Sequence, residues 1–196
     1  MYLRAAAELV LPHVTDAAVI FANGYISRAG HALGDRPGHF YMIGSMGLAA
    51  AIGLGIAIGQ PRRRVVVLDG DGNVLMNLGE LATAAALRPA NFHHVVFDNG
   101  VYASTGNQPT LSDTIDLAAV ARAAGYAHAA RVENAPELQA ALPRFFATPG
   151  PGFLLVKIDR EEGTPFGRVA IEPSVMAARL RAFLAPRASG EGGGGI

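Results

Sequence analysis

The sequence predicts a doubly wound α/β fold, a mostly parallel sheet with helices on both faces. Three observations carry that expectation. Short β-branched runs alternate with Ala/Leu-rich stretches of helical period. The runs VVVL (65–68) and HVVF (94–97) are apolar throughout, as strands covered on both faces require. The 196 residues are 51% hydrophobic, enough for one well-buried core and short for two. One domain over 1–186 is expected, with a flexible Gly-rich tail at 187–196.

The elements follow in order. A helix over 2–11 opens the chain, and the apolar run 18–22 reads as the first strand. The Ala-rich stretch 46–58 predicts a helix before the strand at 65–68. A helix over 77–87 precedes the strand 94–98, and another over 115–124 precedes the strand 128–132. A helix over 136–147 leads to the strand 153–158, and a last helix covers 173–184. No internal repeat is evident.

Composition removes several classes of function. Charged residues make up 16% and the formal net charge is +0, so no electrostatic footprint exists for nucleic acid or an anionic membrane. No Cys is present, which removes disulfides, thiolate metal sites and thiol nucleophiles and suits a reducing compartment. The longest apolar segment, 48–58, is too short and too Gly-rich to span a bilayer, and the N-terminus carries no basic, then apolar, leader. A cytoplasmic protein with a small-molecule ligand or a protein partner is the expectation.

In sheets of this kind ligands bind beyond the carboxyl ends of the strands. Gly70-Asp71-Gly72-Asn73 leaves the end of one strand, and Asn99-Gly100-Val101-Tyr102 leaves the end of the next. Taken singly, Asp-Gly and Asn-Gly are ordinary turn pairs. Residues 73–98 hold one helix and one strand between them, so the fold brings both loops to the same edge. Asp71 offers a charged oxygen and Asn99 a neutral amide oxygen, hard ligands that suit Mg²⁺ or Ca²⁺ together with phosphate oxygens from a ligand. The helix expected to begin near Asn73 adds its N-terminal amides toward an anion.

Three segments in order, GSMGLAAAIGLGIA, VVVLDGDGNVLMNLGELAT and DNGVYASTGNQPT, give the chain a resemblance to thiamine diphosphate enzymes. They are similar to the pyrophosphate-binding domain of phosphonopyruvate and sulfopyruvate decarboxylases, over about 23–113. The resemblance implies that Asp71, the Asn99 side chain and the Val101 carbonyl ligate Mg²⁺. It implies that Gly70, Gly72, Asn73 and Tyr102 line the cofactor with Gly44, Ser45 and Met46, the Gly44 carbonyl accepting from its 4′-amino group. Met46 is implied as the wedge that holds the cofactor bent, and an unbranched, polarizable side chain suits that place. A core methionine at a helix start is the alternative. Ser104, Thr105 and Gln108 follow as substrate-facing or lid residues.

The resemblance also shows what these residues lack. Thiamine enzymes use a glutamate on a separate pyrimidine-binding domain of roughly 150 residues, and Glu8, Glu80, Glu133 and Glu137 are not credible substitutes. The catalytic residues are therefore unknown within this chain, and the essential Glu is expected on a partner, as in two-subunit sulfopyruvate decarboxylases whose α subunit carries the pyrimidine half. The implied reaction is decarboxylation of a small 2-oxoacid to an aldehyde by a hetero-oligomer, the cofactor accepting the electron pair as CO₂ leaves. An acetolactate-synthase-like subunit, a non-catalytic assembly partner and a nucleotide-binding protein using GDG as a turn remain alternatives. The remaining features read as structural or undecided. The glycines of GLGIAIG (53–59) suit close helix packing, since they lie inside a helix that precedes a strand. His93 and His94 lead into a strand, while His31, Arg36 and His39 face either the substrate or the surface.

Overall fold

The computed structural model describes residues 1–160 and 166–185, and the tail expected at 187–196 lies outside them. In chain order, the elements that place the site begin with α1 (Leu3–Val10), β1 (Ala18–Phe21), α2 (Tyr25–Leu33), β2 (His39–Tyr41) and α3 (Ala49–Gly59). Then come β3 (Val65–Gly70), α4 (Asp71–Met76), α5 (Glu80–Leu87), β4 (Phe92–Asp98), β5 (Val101–Tyr102) and β6 (Gln108–Pro109). The chain continues through α6 (Leu117–Ala124), β7 (His128–Val132), α7 (Ala135–Ala147), β8 (Gly152–Lys157) and α8 (Pro173–Leu184).

Six strands form one sheet in the order β2-β1-β3-β4-β8-β7, every pairing parallel. The continuous apolarity of β3 serves two cores. Val66 and Leu68 join the core under α1 and α7, whereas Val65 and Val67 join the core under α3, α5 and α6. Burial on both faces favours these β-branched residues, whose stiff side chains pack well on a pleated surface. The edge strand β2 is covered by α8, whose Met176 and Leu180 are buried. No helix among the described residues is long and apolar enough to cross a membrane.

Several boundaries differ from expectation. The helix expected at 46–58 begins at Ala49, because Ser45 (φ 57°) and Gly47 (φ 93°) hold left-handed backbone that no helix accepts. The helix expected at 77–87 begins at Glu80, and a separate short helix, α4, precedes it and opens directly at Asp71, so the second acid of the loop is already helical. Sequence reasoning missed α2, β2 and the β5–β6 hairpin. Strand β2 has three residues and exists through its register with β1, Val19 opposite His39 and Phe21 opposite Tyr41. In α2, Gly30 breaks the helical pattern, yet a Cβ there would lie 2.1 Å from the Phe21 ring. Close approach of helix to strand requires the glycine that obscures the helix in the sequence.

Candidate functional site

From β1 the chain crosses to β2 on one side, and from β3 it continues to β4 on the other. The carboxyl ends of β1 and β3 flank this reversal, where sheets of this class leave a crevice. A cavity of about 120 Å³ opens there. Its polar wall includes Asp71, Asn73 and Asn99, and its apolar wall includes Met46, Ile26 and Phe97. The structure thus brings together ten residues singled out in the sequence: Met46, Gly70, Asp71, Gly72, Asn73, Asn99, Val101, Tyr102, Ser104 and Thr105.

The others stand apart. Gly44 and Ser45 are exposed on the turn before α3, and a Cβ at Gly44 would meet nothing within 4 Å among the described residues. Gln108 is exposed and accepts from Thr105 Oγ1 at 2.8 Å. His31, Arg36 and His39 do not line this cavity. The His39 ring packs on Phe21 with its Nδ1 2.9 Å from Tyr41 Oη, and His31 stands edge-on to Tyr41. Tyr41 donates to Asp35 at 3.0 Å, and Arg179 donates to the same carboxylate. Burial, with Arg36 beside it, lowers the His39 pKa to about 4. Both His93 and His94 lie buried inside β4, as the structural reading expects.

Asp71 is 3% exposed. Thr110 Oγ1 and Ser112 Oγ lie 2.5 and 3.1 Å from its Oδ2. Ser112 Oγ also lies 2.8 Å from Asp98 Oδ1, so one hydroxyl proton sits between two carboxylates. Lys157 reaches Asp98 Oδ2 at 3.0 Å. Burial raises the Asp71 pKa, and the nearby Asp98 charge adds to that rise. A carboxylate held in this state favours a cation in its vicinity. Among the described residues no cluster of three or more His, Cys, Asp or Glu could hold a metal. Asn99 and Val101 line the same cavity, and an amide oxygen and a main-chain carbonyl there would be neutral donors to a cation at Asp71. One carboxylate with neutral oxygens is a donor set for a hard divalent ion that also binds phosphate. The donor set fits the diphosphate–magnesium reading.

Sequence reasoning missed Thr110, Ser112 and Asn23. The first two return to Asp71 from 39 and 41 residues away, a relation that no local pattern announces. Asn23 lines the cavity with a buried Oδ1 that has no hydrogen-bond partner among the described residues. Its position two residues after β1 was the available signal. Asn73 lines the cavity as expected, while its side-chain amide bonds Gly47 and Asp69.

The comparisons with known proteins point to one family. The family described as "Thiamine pyrophosphate enzyme, C-terminal TPP binding domain" matches residues 23–156. The chain is 46% identical over 181 residues to the phosphonopyruvate decarboxylase of Streptomyces viridochromogenes, covering 92% of this chain and 45% of that protein. It is 53% identical over 121 residues to the sulfopyruvate decarboxylase subunit beta of Methanothermobacter thermautotrophicus, covering 62% of this chain and 65% of that one. The fold is also that of benzoylformate decarboxylase from Polynucleobacter necessarius, with a TM-score of 0.67 at 22% identity over 83% of this chain and 34% of the other. The chain thus spans about half the length of the phosphonopyruvate decarboxylase and about two thirds of the subunit beta.

Proposed function

We propose, from the premise that this chain belongs to the thiamine pyrophosphate enzymes and carries their C-terminal TPP binding domain, that it is the thiamine diphosphate- and Mg²⁺-binding subunit of a 2-oxoacid decarboxylase of the sulfopyruvate or phosphonopyruvate type. The observation that carries this reading is the convergence of Asp71, Asn99, Val101 and Met46 on one cavity at the switch point of the sheet. Asp71, the Asn99 side chain and the Val101 carbonyl would hold the magnesium ion. Bound there, the cofactor supplies an electron sink for the pair released when CO₂ leaves a 2-oxoacid. Met46 and Ile26 present an apolar wall, which lowers the local dielectric and strengthens the electrostatic contacts beside it. Thr110 and Ser112 orient the Asp71 carboxylate. The Ser104–Thr105 turn covers the cavity from the β5–β6 side and is the place for a substrate or lid contact.

The chain matches the family's C-terminal TPP binding domain and covers 45% of the phosphonopyruvate decarboxylase, which leaves the pyrimidine-binding half, with the glutamate the family requires, to be supplied from beyond the matched part. We assign it to another chain, an α-type subunit in a hetero-oligomer, because relatives are named subunit beta. Isothermal titration of the purified chain with thiamine diphosphate and Mg²⁺, alone and with a pyrimidine-domain partner, tests this. Binding that requires the partner, weakened at least about a hundredfold by Asp71→Ala through loss of the charged ligand, is the expected result. Absence of binding in both conditions by a folded chain would sink the cofactor reading. Aldehyde release from sulfopyruvate or phosphonopyruvate, rather than a longer hydroxy-keto acid, separates the decarboxylase from an acetolactate-synthase-like subunit.

A further inference from the structure

Asn73 stands between two groups of opposite hydrogen-bonding character. Its Oδ1 accepts from the Gly47 N–H at 2.5 Å, and its Nδ2 donates to Asp69 Oδ1. His94 Nε2 donates to Asp69 Oδ2 at 2.9 Å. A carboxamide carries an acceptor and a donor on one short planar fork, so at position 73 it can join a main-chain N–H to a carboxylate. All three side chains are buried, Asp69 and His94 at 1% exposure each. Asp69 Oδ1 also accepts from the Gly70 N–H at 2.8 Å, so both of its oxygens are engaged. Turning this carboxylate would leave buried donors without partners, which costs more than the bonds contribute. His94 therefore fixes Asp69, and Asp69 fixes which end of the Asn73 amide faces Gly47.

The other end of the device is the turn that carries Met46. Ser45 and Gly47 both have positive φ, 57° and 93°, and a left-handed non-glycine residue persists only where its surroundings hold it. Asn73 takes the Gly47 N–H, and Asn77 donates to the Gly47 carbonyl at 3.0 Å. The main chain directly after Met46 is thus clamped on both sides. Met46 lines the cavity.

We propose that His94, Asp69 and Asn73 form a buried positioning relay that holds Gly47, and through it Met46, against the cavity. The Asn73 side chain then serves the Met46 turn. The relay rests on the thiamine diphosphate reading only for what Met46 is held against. None of its three members is a catalytic residue, since each acts through Gly47.

Amide hydrogen exchange on the full chain without cofactor tests the relay, with Val67 and Val95 as reporters of global opening. In Asn73→Leu, and separately in His94→Phe, exchange at Gly47 should rise roughly tenfold relative to those two reporters, the scale of one lost buried hydrogen bond. His94→Gln, which keeps a donor for Asp69, should restore most of the protection. Exchange at Gly47 that merely follows Val67 and Val95 in both variants would overturn the relay. Should His94→Phe not fold, Asn73→Leu alone decides, because it cuts the last link directly. The two readings fail separately. A chain that binds no thiamine diphosphate can still show the relay, and a chain that binds it with unchanged Gly47 exchange lacks it.

Discussion

Asp71 has three neighbours that could have been a lysine or arginine and are instead Thr110, Ser112 and Asp98. The two hydroxyls orient its carboxylate but do not neutralise it, which is the environment the proposed cation would need. Two glycines nearby separate a packing role from a ligand role. A Cβ at Gly72 would lie 2.4 Å from the Tyr102 ring, whereas a Cβ at Gly44 meets nothing within 4 Å among the described residues. Gly72→Ala should lower stability by about 1–3 kcal/mol through overpacking. Gly44→Ala should change stability by less than about 1 kcal/mol. It should nonetheless weaken thiamine diphosphate binding if a ligand passes close to that main chain. Thermal unfolding together with titration of Mg²⁺–thiamine diphosphate reads both, and equal stability losses in the two variants would remove the distinction.

At the level of elements, α3 shows how one motif can mix purposes. The stretch 53–59 contains three glycines, and only Gly53 meets the sheet. Its Cβ would sit 2.3 Å from Val67 Cγ2, while a Cβ at Gly55 or Gly59 would meet nothing within 4 Å among the described residues. Gly53→Ala should therefore destabilise by about 1–3 kcal/mol by forcing the helix off β3. Gly55→Ala should stabilise by up to ~1 kcal/mol through helix propensity. Opposite shifts in the urea midpoint are expected, and a stabilising Gly53→Ala would show that the helix has room against the strand. The close-packing reading of these glycines thus holds at one position. The periodic pattern located the helix, but the side on which each glycine falls depends on how the helix rotates against its strand.

Across the whole molecule, acid sensitivity follows from two histidines buried on the same side of the sheet. Burial lowers His93 to about 4, and burial with Arg36 lowers His39 to about 4. Between the unfolded value near 6.5 and these folded values, the unfolded chain binds more protons. Stability is therefore full above about pH 6.5 and falls as the pH drops toward 4, by at most on the order of 3 kcal/mol for each histidine. Denaturant midpoints from pH 7 to 4 should fall steeply. In a His39→Phe/His93→Phe variant the slope should flatten whatever its absolute stability, and an unchanged slope would place the titration elsewhere. The doubly wound class was legible because uninterrupted apolarity in 65–68 and 94–97 is a local property that burial on both faces imposes. The edge that carries Asp71 and Asn99 followed from strand and helix alternation alone, since parallel strands align their carboxyl ends. Strand β2 and helix α2 stayed hidden, being too short or too interrupted to be periodic without the β1 neighbour that pairs or packs with them. By itself the sequence determined the parallel class of the sheet, the edge at which Asp71 and Asn99 meet and the residue types found there. Only the tertiary structure decided that Thr110 and Ser112 return to Asp71 and that Asn73 turns to Gly47. Those bonds join positions 26 to 41 residues apart, and their directions depend on how separate loops meet in space rather than on any repeat along the chain.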